Sequence, residues 1–235
     1  MSRSPTKTSR EVDPGSPATG EVGAFLQQAR NLRRFNAGRA RLVFAIDATA
    51  SRQPTWDLAC ELQADMFRGS ADLGALQIQL AYYRGLGELH IGDWENDTTA
   101  LARSMSRVQC AAGRTQIGRL LERIIRDSAG SARALVFIGD AVEESAGRLQ
   151  ELAGQARLHS MPLFLFQEGF DPEVRRVFEA MARLSGGAYS QFNESSADRL
   201  RDLLGAVARY AAGGHAALES STTPGARALL KQLNR

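Results

Sequence analysis

The stretch RLVFAIDATAS, residues 41–51, decides how this chain is read. Leu42 to Ile46 form a short run rich in β-branched and aromatic side chains, the composition of a strand. Asp47 follows at once, and Thr49 and Ser51 come at every second position after it. An apolar strand that gives way directly to small polar side chains is the usual entry into a ligand-bearing loop of an open α/β sheet.

Working outward, the same alternation of apolar strand runs and helical patterns continues to about residue 210. The expected strands are Arg41–Ile46, Ala75–Tyr83, Glu88–Trp94, Ala134–Ile138, Leu163–Gln167 and Ala188–Phe192. Helical patterns fall at Thr55–Arg68, Thr98–Val108, Gln116–Ser128, Glu144–His159, Pro172–Leu184 and Ala197–Tyr210. Only Arg84-Gly85-Leu86-Gly87 separates the second and third strands, too little for a crossover helix, so that pair must be an antiparallel hairpin. Right-handed crossovers then predict the strand order 3-2-1-4-5-6. The expected fold class is therefore α/β, a doubly wound, Rossmann-like, mainly parallel six-stranded sheet with the third strand antiparallel and helices on both faces. Its winding reverses between the first and fourth strands, where ligands bind in such sheets.

The flanks differ in composition. Residues 1–20 are rich in Ser, Thr, Pro and Gly and hold too little apolar surface to offset the entropy of ordering, so they are expected to be disordered. Residues 21–38 read as a leading helix and linker, with Val22, Phe25, Leu26 and Ala29 on one helical face. Residues 39–212 form the expected folded domain. The tail 213–235 is Gly-, Ser- and Thr-rich and turns mildly amphipathic from Ala226 to Leu233, so it either docks as a short helix or stays mobile.

Composition narrows the function classes. The 235 residues are 43% hydrophobic and 23% charged, close to the globular average. The net charge of +3 and pI near 9.2 come from the leading segment. Residues 1–40 carry seven Lys/Arg against three Asp/Glu, and the rest of the chain carries 22 against 23. A near-neutral domain lacks the basic face of a duplex binder, so nucleic acid is not the expected partner. Lys7 and Lys231 are the only lysines, and so heavy an Arg bias beside so much Ala reflects coding composition. Two cysteines, Cys60 and Cys110, make no disulfide framework, which points to a reduced, cytoplasmic setting. The first 20 residues lack the apolar core of a signal peptide, and no run approaches the roughly 18 apolar residues of a membrane span.

Three polar clusters fall at the C-terminal edge of the expected sheet. They are Asp47-x-Thr49-x-Ser51 after the first strand, Gly113-Arg114-Thr115 before the helix that feeds the fourth, and Asp140 after the fourth. The topology brings Asp47, Thr49, Ser51, Thr115 and Asp140 to one place. Two carboxylates and three hydroxyls, without sulfur or imidazole, are a hard donor set suited to Mg²⁺ or Mn²⁺, with Ca²⁺ a further candidate, rather than Zn²⁺. Five protein oxygens leave a position open for water or for a carboxylate from elsewhere. His90, His159 and His215 are isolated and read as surface or packing residues. Glu143 and Glu144, just beyond Asp140, either line the metal face or, the preferred reading, are first-turn residues drawn by a helix dipole. Trp94 reads as packing at the far sheet edge, and Arg84 as a rim residue.

The order of these motifs resembles the metal-ion-dependent adhesion site (MIDAS) of von Willebrand factor A (vWA) domains, of the bacterial cytoplasmic type: Asp-x-Ser-x-Ser, then Thr, then Asp. The resemblance covers roughly residues 39–210, and Gly186-Gly187 before the last strand also fits. It implies direct metal contact by Thr49, Ser51 and Thr115, water-mediated contact by Asp47 and Asp140, and completion of the octahedron by an Asp or Glu of a protein partner. Thr49 stands where the family usually has Ser and keeps the hydroxyl; Ala141 stands where Gly is common and removes no ligand. The expected function is a metal-dependent protein-interaction adaptor, not an enzyme.

Two rivals remain. One is a Mg²⁺-dependent phosphohydrolase with Asp47 as nucleophile, but Thr49 replaces the second Asp which that chemistry needs, and no core Lys steadies a phosphoryl group. The other is an RNA-associated factor using the basic segment that includes Arg30, Arg33, Arg34, Arg39 and Arg41.

Overall fold

The computed structural model describes residues 40–53, 56–57, 76–128, 131–193 and 197–234. Six strands are present: β1 (Ala40–Asp47), β2 (Leu76–Arg84), β3 (Glu88–Glu95), β4 (Ala134–Gly139), β5 (Leu163–Glu168) and β6 (Ala188–Phe192). They form one sheet in the order β3-β2-β1-β4-β5-β6. Only the β2–β3 pair is antiparallel. Topology and strand direction are those expected from the short hairpin turn and the right-handed crossover rule.

Among the described residues six α-helices flank the sheet: α1 (Thr98–Ser106), α2 (Ile117–Ser128), α3 (Ala146–Leu158), α4 (Pro172–Ser185), α5 (Ala197–Glu219) and α6 (Pro224–Leu233). The central strand shows why its apolar run is continuous. Leu42, Phe44 and Ile46 point into a core shared with α1, α5 and α6, while Val43 and Ala45 point into a second core shared with α2, α3 and α4. A strand buried on both faces cannot alternate apolar with polar.

Local signals set most helix ends. The Asp171 carboxylate accepts the Glu173 and Val174 N–H groups at the start of α4, with Pro172 in its first turn, and Gly186 closes that helix in the left-handed region at φ +76°. Thr223 caps α6 through Ala226 N–H, again followed by Pro. Most element ends shift by a residue or two from the sequence pattern, and three differences are informative. β1 reaches Asp47 itself, because Asp47 pairs in register with Tyr83 of β2. α3 starts at Ala146 rather than Glu144, because the Glu143 and Glu144 side chains are drawn across to the loop before α2. α5 runs past Tyr210 to Glu219 with a kink at Gly214, and α6 packs on α5 and β6. The leading helix of residues 21–38 lies outside the described residues, as do the first 20 residues and the helix at Thr55–Arg68 apart from Trp56 and Asp57.

The isolated histidines have packing partners: His90 stacks on Tyr82 at 4.8 Å, and His215 meets Tyr210 edge-on at 5.7 Å. Trp94 packs at the sheet edge under the Arg41 guanidinium, 5.0 Å from its ring centre, so at least this member of the basic run is engaged by the fold. Among the described residues no helix is long and apolar enough to cross a membrane.

Phe137 of β4 is the hinge of the second core, stacked on Tyr83 at 6.2 Å and edge-on to Phe178 at 5.8 Å. Phe137→Ala is expected to cost about 3–5 kcal/mol, read as a lower urea midpoint with an unchanged slope.

Candidate metal centre

The sheet's C-terminal edge opens into a cleft of about 280 Å³, lined by Asp47, Thr49, Ser51, Thr115 and Asp140 together with Gly113 and Glu143. All five oxygen-bearing residues singled out in the sequence therefore face one space. β1 delivers Asp47 and β4, its neighbour, delivers Asp140 one residue past its end.

Asp47 is fully buried. A carboxylate taken out of water needs donors: the Thr49 N–H reaches Oδ1 at 2.8 Å and the Tyr83 hydroxyl reaches Oδ2 at 3.0 Å. Burial raises the Asp47 carboxyl above its ordinary value and the Asp140 charge adds to this, while the bonds from Thr49 and Tyr83 pull it back. Burial, reinforced by the charge of Asp47, pushes the Tyr83 phenol well above its ordinary range, so it remains a donor. The loop after Asp47 is also latched by backbone: Ala48 N–H bonds the Tyr83 carbonyl, Ala111 N–H bonds the Ala48 carbonyl, and Arg52 N–H bonds the Thr49 carbonyl.

Thr115 sits on a loop held by two acids. Its N–H donates to Glu143 Oε2 at 2.8 Å, and its hydroxyl accepts the Glu143 N–H at 3.0 Å and donates to Glu144 Oε2 at 2.6 Å. Glu144 Oε1 accepts the Gly118 N–H at 3.0 Å. The two acids thus serve a helix N-terminus, as their dipole preference predicts, but the helix is α2 rather than their own. A hydroxyl has one proton and two lone pairs. With the proton committed to Glu144 and one pair to Glu143, a single lone pair of Thr115 is left for a cation.

Gly113 allows this loop to exist. A Cβ there would stand 1.9 Å from the Gly85 carbonyl oxygen, so only glycine lets the loop lie directly on the β2–β3 turn. The Gly85 N–H in return bonds the Ala111 carbonyl.

Ser51 Oγ donates to Asp140 Oδ2 at 3.4 Å, a long bond that leaves the pair adaptable. Beside it stands Arg52, a residue with no sequence signal: it is 1% exposed, pairs with Glu168 at the end of β5, and lies 3.7 Å from Asp140 Oδ2. Among the described residues its Nε and Nη2 find no hydrogen-bond partner, and both are buried. The expected donor set holds only Asp47 and Asp140 as charges; the folded cleft has Glu143 on its wall, the less favoured of its two readings, and a guanidinium behind Asp140. Nothing in the local pattern separates a buried Arg from a solvated one.

The donor set fits a small hard cation. Among the described residues no group of three or more His, Cys, Asp or Glu could hold a metal ion, so a cation here would rely on hydroxyls beside two carboxylates. Cys110 does not line the cleft. Asp47, Thr49, Ser51, Thr115 and Asp140 are the residues that would hold the ion, which would supply positive charge for an incoming anion.

Tyr83→Phe keeps the ring and removes a hydroxyl that meets buried Asp47. It is expected to cost about 1.5–3 kcal/mol in urea unfolding at neutral pH, as loss of a bond to a charged group does. Gly113→Ala is expected to lower stability as well, by lifting the β2–β3 turn off the Thr115 loop.

No family model matches the chain, and no curated protein matches it in sequence. Solved structures do resemble it. The von Willebrand factor type A protein from Catenulispora acidiphila superposes with a TM-score of 0.53 at 17% identity, over 72% of this chain and 42% of that one. The SpRpn10 VWA domain gives 0.54 at 10% identity, over 69% and 95%. Proximal thread matrix protein 1 from the mussel byssus, a structure with a zinc-occupied MIDAS motif, gives 0.56 at 15% identity, over 73% and 45%. Likeness at such identities speaks to architecture alone, and the architecture is that of a von Willebrand factor A domain.

Proposed function

We propose that this chain is a metal-dependent protein-interaction module of the cytoplasm, in which Asp47, Thr49, Ser51, Thr115 and Asp140 hold a divalent cation that receives an Asp or Glu side chain of a protein partner. The observation that carries the proposal is the convergence of these five oxygen-bearing residues on one open cleft. The zinc-occupied MIDAS motif of the mussel thread protein supports it, since that protein has the same fold. Mg²⁺ or Mn²⁺ suits the hard donors best, with Ca²⁺ a further candidate.

Binding rather than catalysis is favoured by the residues around Asp47. A phosphohydrolase would use it as nucleophile with a second Asp two positions on for acid/base work, and Thr49 stands there instead. Neither Lys nor His lines the cleft to steady a phosphoryl group or move a proton.

Asp47 and Asp140 repel one another, so an ion bound only by the folded protein stabilises it. At about ten times its dissociation constant the gain is RT ln 11, about 1.4 kcal/mol, which raises the melting midpoint by roughly 3–6 °C in a domain of this size. Wild type is expected to show this shift in Mg²⁺ or Mn²⁺ against chelator, and Asp140→Ala to lose it. An equal shift in the two proteins places the ion elsewhere. Thr115→Ser retains a hydroxyl and is expected to keep the shift; Thr115→Val is expected to lose it and to melt lower in chelator too, because it strands the Glu143 N–H.

A further inference from the structure

The cleft has a rim that the metal proposal does not use. Among the described residues Leu86, Leu158, Phe170 and Leu184 are the large apolar side chains left exposed. Leu158 and Leu184 close α3 and α4 at the opposite edge of the sheet. Leu86 and Phe170, 92% and 71% exposed, stand on the edge that holds the cleft. Leu86 tips the turn after β2 and Phe170 lies in the turn after β5, so the strand order places them on either side of the β1–β4 opening.

Both turns are fastened. In the first, the Gln116 side-chain amide donates to the Arg84 and Gly85 carbonyls, the Arg119 guanidinium to the Gly87 carbonyl, and the Arg84 guanidinium to the Gln109 carbonyl. These bonds tie the turn to the segment that carries Thr115. In the second, the Gly169 N–H donates to the Phe192 carbonyl, the Gln191 amide to the Gly169 carbonyl, and the Gln167 amide to the Asp171 carbonyl. A loose loop would fold a leucine or phenylalanine back onto the protein; these turns are held so that the side chains stay in water.

Spacing indicates what would cover them. β2 and β5 are three strand intervals apart, about 14 Å, and the cleft lies midway. In an extended peptide, residues two before and two after a central one lie on the same face as it and span about 13 Å. We propose that the partner segment is an extended peptide crossing the strand ends, with a central Asp or Glu directed to the cation and apolar side chains two positions before and after it resting on Leu86 and Phe170. This rests on the metal-dependent reading above and adds the partner's chemistry to it: charge complementarity at the centre, apolar burial on both sides.

The test uses the full chain and labelled peptides GSLSDSLSG, GSSSDSSSG, GSSLDLSSG and GSLSNSLSG, followed by fluorescence anisotropy in millimolar Mn²⁺ or in chelator. GSLSDSLSG is expected to bind at least tenfold more tightly than GSSSDSSSG and more tightly than the mis-spaced GSSLDLSSG. Its binding is expected to vanish with chelator and with the Asn peptide. Leu86→Ser and Phe170→Ser alter exposed side chains; each is expected to weaken GSLSDSLSG by about three- to tenfold while leaving the metal-induced thermal shift intact. Equal binding of the spaced, mis-spaced and serine peptides, no binding at all to protein that shows the metal shift, or variants that bind like wild type would each overturn the apolar rim and leave the metal site standing. Absence of the metal shift itself would overturn both.

Discussion

Asp47 is a buried carboxylate that the central strand carries to the wall of the cleft, and the surrounding loops are arranged around that charge. Its two oxygens are met by the Tyr83 hydroxyl from the neighbouring strand and by the Thr49 N–H of its own loop. The second contact bends the chain so that Thr49 and Ser51 turn toward the same opening. The first makes β2 part of the site: Tyr83 stacks on Phe137, which packs on Phe178, so the acid is braced through the second core. A buried charge held in this way costs desolvation, and sites that need an anion in a fixed place are where proteins accept that cost.

The second layer of the site is electrostatic. Glu143 and Glu144 cap α2 from the neighbouring crossover, satisfying N–H groups of Thr115 and Gly118 and fixing the Thr115 hydroxyl proton away from the remaining lone pair. Arg52 sits behind Asp140 and pairs with Glu168. Loops after β1, β4 and β5 are therefore coupled through charges, and the loops after β2 and before α2 through backbone contact at Gly85 and Gly113. The edge behaves as one fastened rim, which is what a recognition surface needs if binding is not to be offset by the entropy of ordering loops.

Much of this was legible in the sequence. The run Leu42–Ile46 ending at Asp47, the four-residue link between the second and third strands, and the polar residues after the first and fourth strands depend on local composition and on the handedness rules for crossovers. Those constraints act through nearest neighbours and strand pairing, so strand order and the meeting of Asp47, Thr49, Ser51, Thr115 and Asp140 at one edge follow without coordinates. The destination of Glu143 and Glu144 did not follow: a dipole preference says that acids favour a helix start, not which helix they will serve.

What only the tertiary structure decided is the set of partners across the fold: Tyr83 on Asp47, 36 residues away, Glu144 on Thr115 at 29, Arg52 on Glu168 at 116, and Gly113 against Gly85. Side chains of these types are at home in a strand, a helix start or a solvated surface, and their local patterns are the same in each case. Apolar periodicity tells a residue which way to face because every turn or pleat repeats the same transfer out of water. A single hydrogen bond or close contact has no period, so it exists only once packing has brought both groups together.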